Sequence, residues 1–389
     1  MSCHAALGGS MAAPVTAFEH DIHADRGFSC VACHGGDASV AGMGAMDPAR
    51  GFVGRPRGRQ VLDVCGQCHS DAAFMRQYNP SLRVDQVTEY LTSVHGRRLI
   101  RQGDTAVATC LSCHPAHDIR PPNDPLSSVH PVNVAATCAS CHADAERMEP
   151  YGIATDQPEK YERSVHWAAL SEGGDLSAPT CNDCHGNHGA APPGLTSVGN
   201  VCGQCHSVMA DFYEGSRHAT TFTMLGVPGC ATCHQNHEVV TPGDEMLGLG
   251  EGAVCARCHG SEDPGGQTAV AMRALIDSLE RAHVTADSIL ERAENAGIEV
   301  SQALFDLGGA NDALVMSRAA VHSFDLPTLE SEASEGLAVA AQAYERGQDA
   351  MAELQFRRTG LAVSVAIILV LIVGLVIKIR DIERRRVQS

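Results

Sequence analysis

Apolar positions divide the chain into three regimes. Residues 1–262 carry short apolar clusters broken by Gly, Pro and paired Cys, and they read as short helices in irregular chain. After Pro264, Gly265 and Gly266 the composition turns to Ala, Leu, Glu and Arg. Apolar and small residues then recur in steps of three and four: Met272, Leu275, Leu279, Ala282, Ala286, Ile289, Ala293, Ala296, Val300, Ala303, Leu307, Ala310 and Leu314. That heptad spacing predicts a long coiled-coil-like helix, interrupted at Gly308 and Gly309. Asp325 and Pro327 mark a turn and a new start, and Leu337, Ala340, Tyr344, Met351 and Leu354 carry a second helix onward. Residues 266–358 are therefore expected to form an antiparallel helical hairpin, whose Ala-rich seam also suits self-association into a homo-oligomer.

The third regime is continuous. Residues 359–377 hold 19 positions without a charge, enough helix to span about 28 Å of bilayer. Lys378, Arg380, Arg384, Arg385 and Arg386 follow, whereas Arg357 and Arg358 precede. The positive-inside rule places residues 378–389 in the cytoplasm and the bulk of the chain outside, on an inner (cytoplasmic) membrane anchor.

Composition changes the reading of the first regime. Among 389 residues there are 16 aromatics, against 17 Cys and 20 His, so something other than side chains is expected to fill the interior. Sixteen cysteines form eight C-x-x-C pairs: Cys30/Cys33, Cys65/Cys68, Cys110/Cys113, Cys138/Cys141, Cys181/Cys184, Cys202/Cys205, Cys230/Cys233 and Cys255/Cys258. Each pair is followed by His, namely His34, His69, His114, His142, His185, His206, His234 and His259. Zinc ribbons and thioredoxin-like motifs use C-x-x-C but have no need of His at the next position. C-x-x-C-H is the attachment signature of haem c: two thiols take the vinyl groups and the adjacent His binds iron as the proximal ligand. Eight haems follow from the motifs. Cys3 and His4 read as the remnant of a ninth site in a chain that begins inside a longer sequence; the alternative is a true terminus with Cys3 a lone thiol or single-thioether anchor.

Residues 90–117 and 161–188 align without gaps, 12 of 28 positions being identical. The shared positions include Tyr90/Tyr161, His95/His166 and His117/His188, so the repeat extends beyond the motif itself. A third copy runs from Tyr213 through His218 to His237, and a fourth begins at Phe18 and His23. Four two-haem repeats thus make up residues 1–262. Three first motifs read C-x-x-C-H-x-x-H, and their last residues, His117, His188 and His237, are placed to reach a neighbouring iron. The full set of expected distal ligands is His20, His23, His95, His117, His130, His166, His188, His218 and His237. His283 and His322, beyond the haem region, read as structural.

The net charge is −18, and the only basic cluster is the C-terminal tail, which excludes a nucleic-acid role. The chain has two lysines, Lys160 and Lys378, and no C-x-x-C-K.

With these motifs the sequence resembles the doubled-C-x-x-C-H multihaem cytochromes c, in particular the membrane-anchored octahaem and nonahaem proteins of respiratory chains. The pattern from Tyr90 through Ser93, Val94, His95 and Gly96 to Pro121 and Pro122 carries the likeness. The helices after the last haem, with Val321, His322 and Ser323, resemble those of the nitrite reductase and hydroxylamine oxidoreductase superfamily. The resemblance implies a mostly α and irregular fold with a haem-packed core. It implies electron transfer between a quinone-linked membrane partner and a soluble periplasmic or outer-membrane acceptor. It also imports a second reading: a reductase or oxidase of nitrogen or sulfur oxyanions with one five-coordinate haem, although the lysine-ligated motif of the nitrite reductases is absent.

Overall fold

The computed structural model describes residues 2–194 and 198–387. Met1, ahead of which the ninth-site reading places its missing cysteine, and the last two residues of the basic tail lie outside the described residues. The described residues are mostly helical, with no strand. They fall into two compact units, one of residues 1–202 and 228–241, the other of residues 203–227 and 242–389.

The first unit is a succession of short helices, and the sequence sets their limits. Ser93 and Ser164 accept the backbone N–H groups of Gly96 at 2.8 Å and Trp167 at 3.1 Å, starting the helices Val94–Gln102 and Val165–Ser171. Thr109 and Thr180 start Cys110–Cys113 and Cys181–His185 through capping boxes with Ser112 and Asp183. The side-chain core is small. Val61, Leu62, Tyr90 and Leu99 form one buried cluster, and Cys65, Val107, Cys110 and Leu111 pack against it.

Three long helices dominate the second unit: Pro264–Asn295, Ser301–Ala320 and Leu326–Val387. The heptad positions Met272, Leu279, Ala286, Ala293, Ala303, Leu307, Ala310 and Leu314 are buried as expected, together with Ile276 and Leu290. The interruption falls elsewhere than expected. Gly308 and Gly309 lie inside Ser301–Ala320, where the Val339 side chain lies within contact distance of a Cβ at Gly309. The chain turns instead at Gly297, whose φ of 82° ends the first long helix in the left-handed conformation. The third helix packs on both of the others, so this segment is three helices rather than a two-helix hairpin. Its 62 residues extend for about 93 Å. Its most apolar window has a mean hydropathy of 3.1 with none of it buried, long and apolar enough to cross a membrane.

Candidate haem centres

A helical turn explains why the motif spacing works. Residues i, i+3 and i+4 share one face, so a helix beginning at the first cysteine, such as Cys30–His34 or Cys181–His185, presents both thiols and the histidine together. None of the seventeen cysteines is joined in a disulfide. Gly35, φ 64°, ends the first of these helices where a Cβ would strike the Gly51 carbonyl. That close approach brings the Gly54 carbonyl within 2.6 Å of His34 Nδ1.

Three motifs depart from that form. The helix Cys110–Cys113 holds both thiols but ends before His114, whose backbone is extended. Cys202 lies in the helix Val198–Gly203, which stops at Gly203 and leaves Cys205 exposed in the turn beyond it. Cys255 opens the 3-10 turn Cys255–Arg257, and Cys258 follows that turn, also exposed. A 3-10 turn keeps residues i and i+3 in line but swings i+4 away, so Cys255 and Cys258 stay aligned while His259 does not share their face. Cys233 keeps the expected form, half-buried in the helix Gly229–His234 with Cys230 and His234. The attachment role of Cys205 and Cys258 therefore rests on motif spacing, without the helix that holds both cysteines in the other six motifs.

The repeated Tyr-x-x-Ser-Val-His stretch has a positioning role that motif reading alone missed. Tyr90 and Tyr161 donate their hydroxyls to the carbonyls of Ala108 at 2.7 Å and Pro179 at 2.9 Å, two residues before Cys110 and Cys181. Each tyrosine therefore ties its own histidine-bearing segment to a haem motif, while the serine caps the helix in which His95 or His166 is the second residue. In the copy that begins at Phe18, Asp21 replaces serine. It is buried, accepts from the His23 backbone N–H at 2.9 Å and from the Ile119 N–H at 2.9 Å, and bonds His23 Nδ1 at 2.8 Å. Burial pushes its carboxyl up, but the hydrogen bonds from His23 and Ile119 prevail and hold it below the usual carboxylate range.

The structure brings six motif histidines face to face with six histidines from outside the motifs. Three pairs use the eighth residue of C-x-x-C-H-x-x-H: His34 with His117 at 5.9 Å between ring centroids, His114 with His188 at 6.4 Å and His185 with His237 at 5.8 Å. Three use the upstream histidine: His23 with His69 at 6.0 Å, His95 with His142 at 6.2 Å and His218 with His259 at 6.0 Å. Metal–imidazole bonds of about 2.0–2.1 Å on opposite sides of one ion put ring centroids about 6 Å apart. These side chains therefore fit a bis-histidine iron. The two classes differ in orientation: the first three pairs have ring planes 10° to 20° apart, the second three 58° to 88°.

The pairing follows a register. An upstream histidine faces the second motif of its own copy, whereas the eighth residue faces the first motif of the preceding copy. His117 and His237 take left-handed backbone angles, φ 71° and 51°. Such angles are uncommon outside glycine, and here they lie at two of the residues that turn back toward the preceding copy. Burial pushes His69, His95, His114, His117, His142, His188, His218 and His237 below the ordinary imidazole range, favouring the neutral form that binds metal.

The thiols form a row within the first unit. The thiols of Cys65 and Cys110, of Cys138 and Cys181, and of Cys202 and Cys230 lie close enough to act on one another, joining the second motif of one copy to the first of the next. Cys33 lies near Cys68, Cys113 near Cys141 and Cys184 near Cys202, joining the motifs within a copy.

The remaining expected residues are distributed as follows. His166 repeats the position of His95 in its helix, His206 immediately precedes Ser207–Glu214, and His234 ends Gly229–His234. His130, also buried, caps Pro131–His142, its Nδ1 accepting from the Val132 N–H at 3.4 Å. His20 is exposed, and Cys3 and His4 lie in the short helix Ser2–Leu7.

A family model described as the doubled CXXCH motif matches residues 174–211, which hold the motifs Cys181–His185 and Cys202–His206. The match supports a multihaem c-type cytochrome family and c-type haem binding. No curated protein and no solved structure matched the chain.

Proposed function

We propose that this chain is a membrane-anchored octahaem c-type cytochrome that passes electrons along bis-histidine haems. The observation that carries the reading is the set of six opposed imidazole pairs, each made of one motif histidine and one from elsewhere in the chain. Haem c, held at the eight C-x-x-C-H motifs, supplies one-electron iron chemistry. The chain's own residues do the rest. Cysteines would anchor the haems, paired histidines would bind each iron and leave no position open to substrate, and the back-reaching histidines would lock each copy to the one before. The row of thiols from Cys33 to Cys230 supports an order of transfer that follows chain order. A ninth site at Cys3 and His4 extends the same proposal.

The apolar helix supports an anchor in the cytoplasmic membrane, with the haems in the periplasm and the basic tail inside. Residues 359–377 contain no histidine to hold a haem within the bilayer, so a separate quinone-linked membrane protein is the proposed partner and a soluble or outer-membrane carrier the other. Homo-oligomers through the long helices belong to the same proposal.

Intact mass of the holoprotein should give eight haems per chain, or nine where Cys3 holds one through a single thioether. Its EPR spectrum should be low-spin and divided in two, because the mutual orientation of two axial rings sets the splitting of the iron d orbitals. The near-parallel pairs should give rhombic signals and the steep pairs strongly anisotropic ones. Carbon monoxide should not bind the reduced protein. Stoichiometric binding at one haem, with turnover of nitrite or hydroxylamine, would replace the electron-transfer reading by the multihaem reductase.

A further inference from the structure

The group that accepts the Nδ1 proton of a metal-binding imidazole sets how strongly the other ring nitrogen donates. His34 bonds the Gly54 carbonyl at 2.6 Å and His185 the Ala191 carbonyl at 3.3 Å, both neutral oxygens. His23 and His259 meet carboxylates instead, Asp21 at 2.8 Å and Asp263 at 3.0 Å. A carboxylate can only accept, so the proton stays on Nδ1 and the Nε2 lone pair is left for metal. Its charge also makes the ring more basic, which favours ferric over ferrous iron.

The two carboxylates are not equal, because burial decides how much of each charge survives. The Asp263 side chain is 41% exposed and screened by water, whereas that of Asp21 is 2% exposed. Glu89 stands 3.7 Å from His188 and is paired with Arg83, whose charge opposes its own. Asp21 has no such neighbour: among the described residues its only ion-pair partner is His23. The backbone N–H of His23, the His23 ring and the N–H of Ile119 all point at its two oxygens, an arrangement that suits the charged carboxyl.

The repeat keeps this position neutral in its other copies. Ser93, Ser164 and Ser216 stand two residues before His95, His166 and His218, as Asp21 stands before His23. Each serine accepts a backbone N–H to start its helix and brings no charge. The charge of Asp21 reaches a second site as well, since it acts on His117, which faces His34, and on Cys33.

We propose that Asp21 is a positioning residue that sets a potential: its buried carboxylate makes the haem faced by His23 and His69 the most reducing of the row, and lowers the haem at Cys30 by less. The inference rests on the multihaem reading above and deepens it. The row is then not level, and an electron on that haem runs downhill to its neighbours.

Redox titration of the full-length holoprotein, followed by EPR, reads this directly. In the wild type the last ferric signal to disappear should be of the strongly anisotropic class, since the His23 and His69 rings are 88° apart. Asp21→Asn, which keeps an acceptor without the charge, should leave that haem low-spin and raise its midpoint potential by about 59 mV or more, a tenfold change in a one-electron equilibrium. Asp21→Ser, the residue of the other copies, should do the same, and Asp263→Asn should raise its own haem by less. The wild-type titration decides if neither Asp21 variant accumulates. A last-reduced haem of the rhombic class, potentials unmoved in the Asp21 variants, or a larger rise in Asp263→Asn would overturn the assignment. A wild-type chain without covalent haem would instead overturn the reading on which it rests.

Discussion

The first unit and the long helices of the second are held together by different means. In the long helices Leu279, Leu290, Ala286, Ala293, Ala310 and Leu329 are fully or almost fully buried, and two apolar clusters run the length of the packing. The first unit has more chain and one apolar cluster of four buried residues. Its motif cysteines are half-buried or exposed and its histidines stand in opposed pairs, an arrangement that would suit a large apolar cofactor. Side chains are the core of one region, whereas in the other the proposed function makes them mounts for haem.

The comparison breaks most completely if the cofactor is withheld. The full chain produced in a host unable to attach haem c should lose the fold of the first unit, since the area buried by its side chains falls far short of the chain entropy of ordering it. The long helices should persist. Limited proteolysis with mass mapping should cut throughout residues 1–202 and spare residues 264–354. Equal protection of both regions without haem would show the contrast to be wrong.

The next effect falls on the helices alone. Leu290 is fully buried, and Leu290→Ala should destabilise the second unit by about 2–5 kcal/mol through lost burial and a cavity. The Soret band and haem count should not change. Chemical denaturation followed by helical circular dichroism and by haem absorbance would separate the two transitions.

What could be read from the sequence follows the same division. Motif spacing, the repeated Tyr and Ser positions and the heptad seam are local, so they are visible in sequence. The partner of each histidine is not local. That His117 faces His34 while His95 faces His142 depends on left-handed turns at non-glycine residues and on how one copy is laid beside the last. Identical spacing also hides a difference in backbone, since Cys205 and Cys258 sit in or after turns where Cys233 sits in a helix. The helix break was misplaced because two adjacent glycines look like the weaker point, yet single Gly297 is where the backbone adopts a positive φ. Gly308 and Gly309 both stay helical; Val339 of the third helix lies within contact distance at Gly309 alone, and Gly308 faces open space. The tie from Tyr90 to Ala108 was legible only as a repeat, since nothing in a sequence tells a hydroxyl's acceptor.

A smaller effect tests the idea that side chains in the first unit serve as mounts. Ser93 is fully buried, accepts from Gly96 and donates its hydroxyl to the Tyr90 carbonyl at 2.6 Å. Ser93→Ala should cost about 1 kcal/mol as a lost helix cap. The informative readout is the low-spin signal of the haem faced by His95, which should broaden or gain a minor high-spin fraction. A cost in stability with an unaltered spectrum would mean that the serine holds a helix and not a ligand.

The smallest effect is expected where a contact is most conspicuous. Arg163 makes a two-pronged ion pair with Glu238, at 3.0 and 2.9 Å, and another with Glu159 at 2.6 Å, and Glu238 adjoins the ligand candidate His237. The geometry invites the conclusion that Arg163 fixes His237. The arginine is exposed, however, so water and salt screen the attraction and the side chain loses freedom by holding it. The same stretch is independently fastened by the Val165 N–H donating to the Val239 carbonyl at 2.8 Å. Arg163→Ala should therefore leave the haem spectrum unchanged, and any shift in the melting transition should shrink further in high salt. A spectral change at the His185 haem that survives high salt would show that a surface pair shares the mounting role assigned here to buried groups.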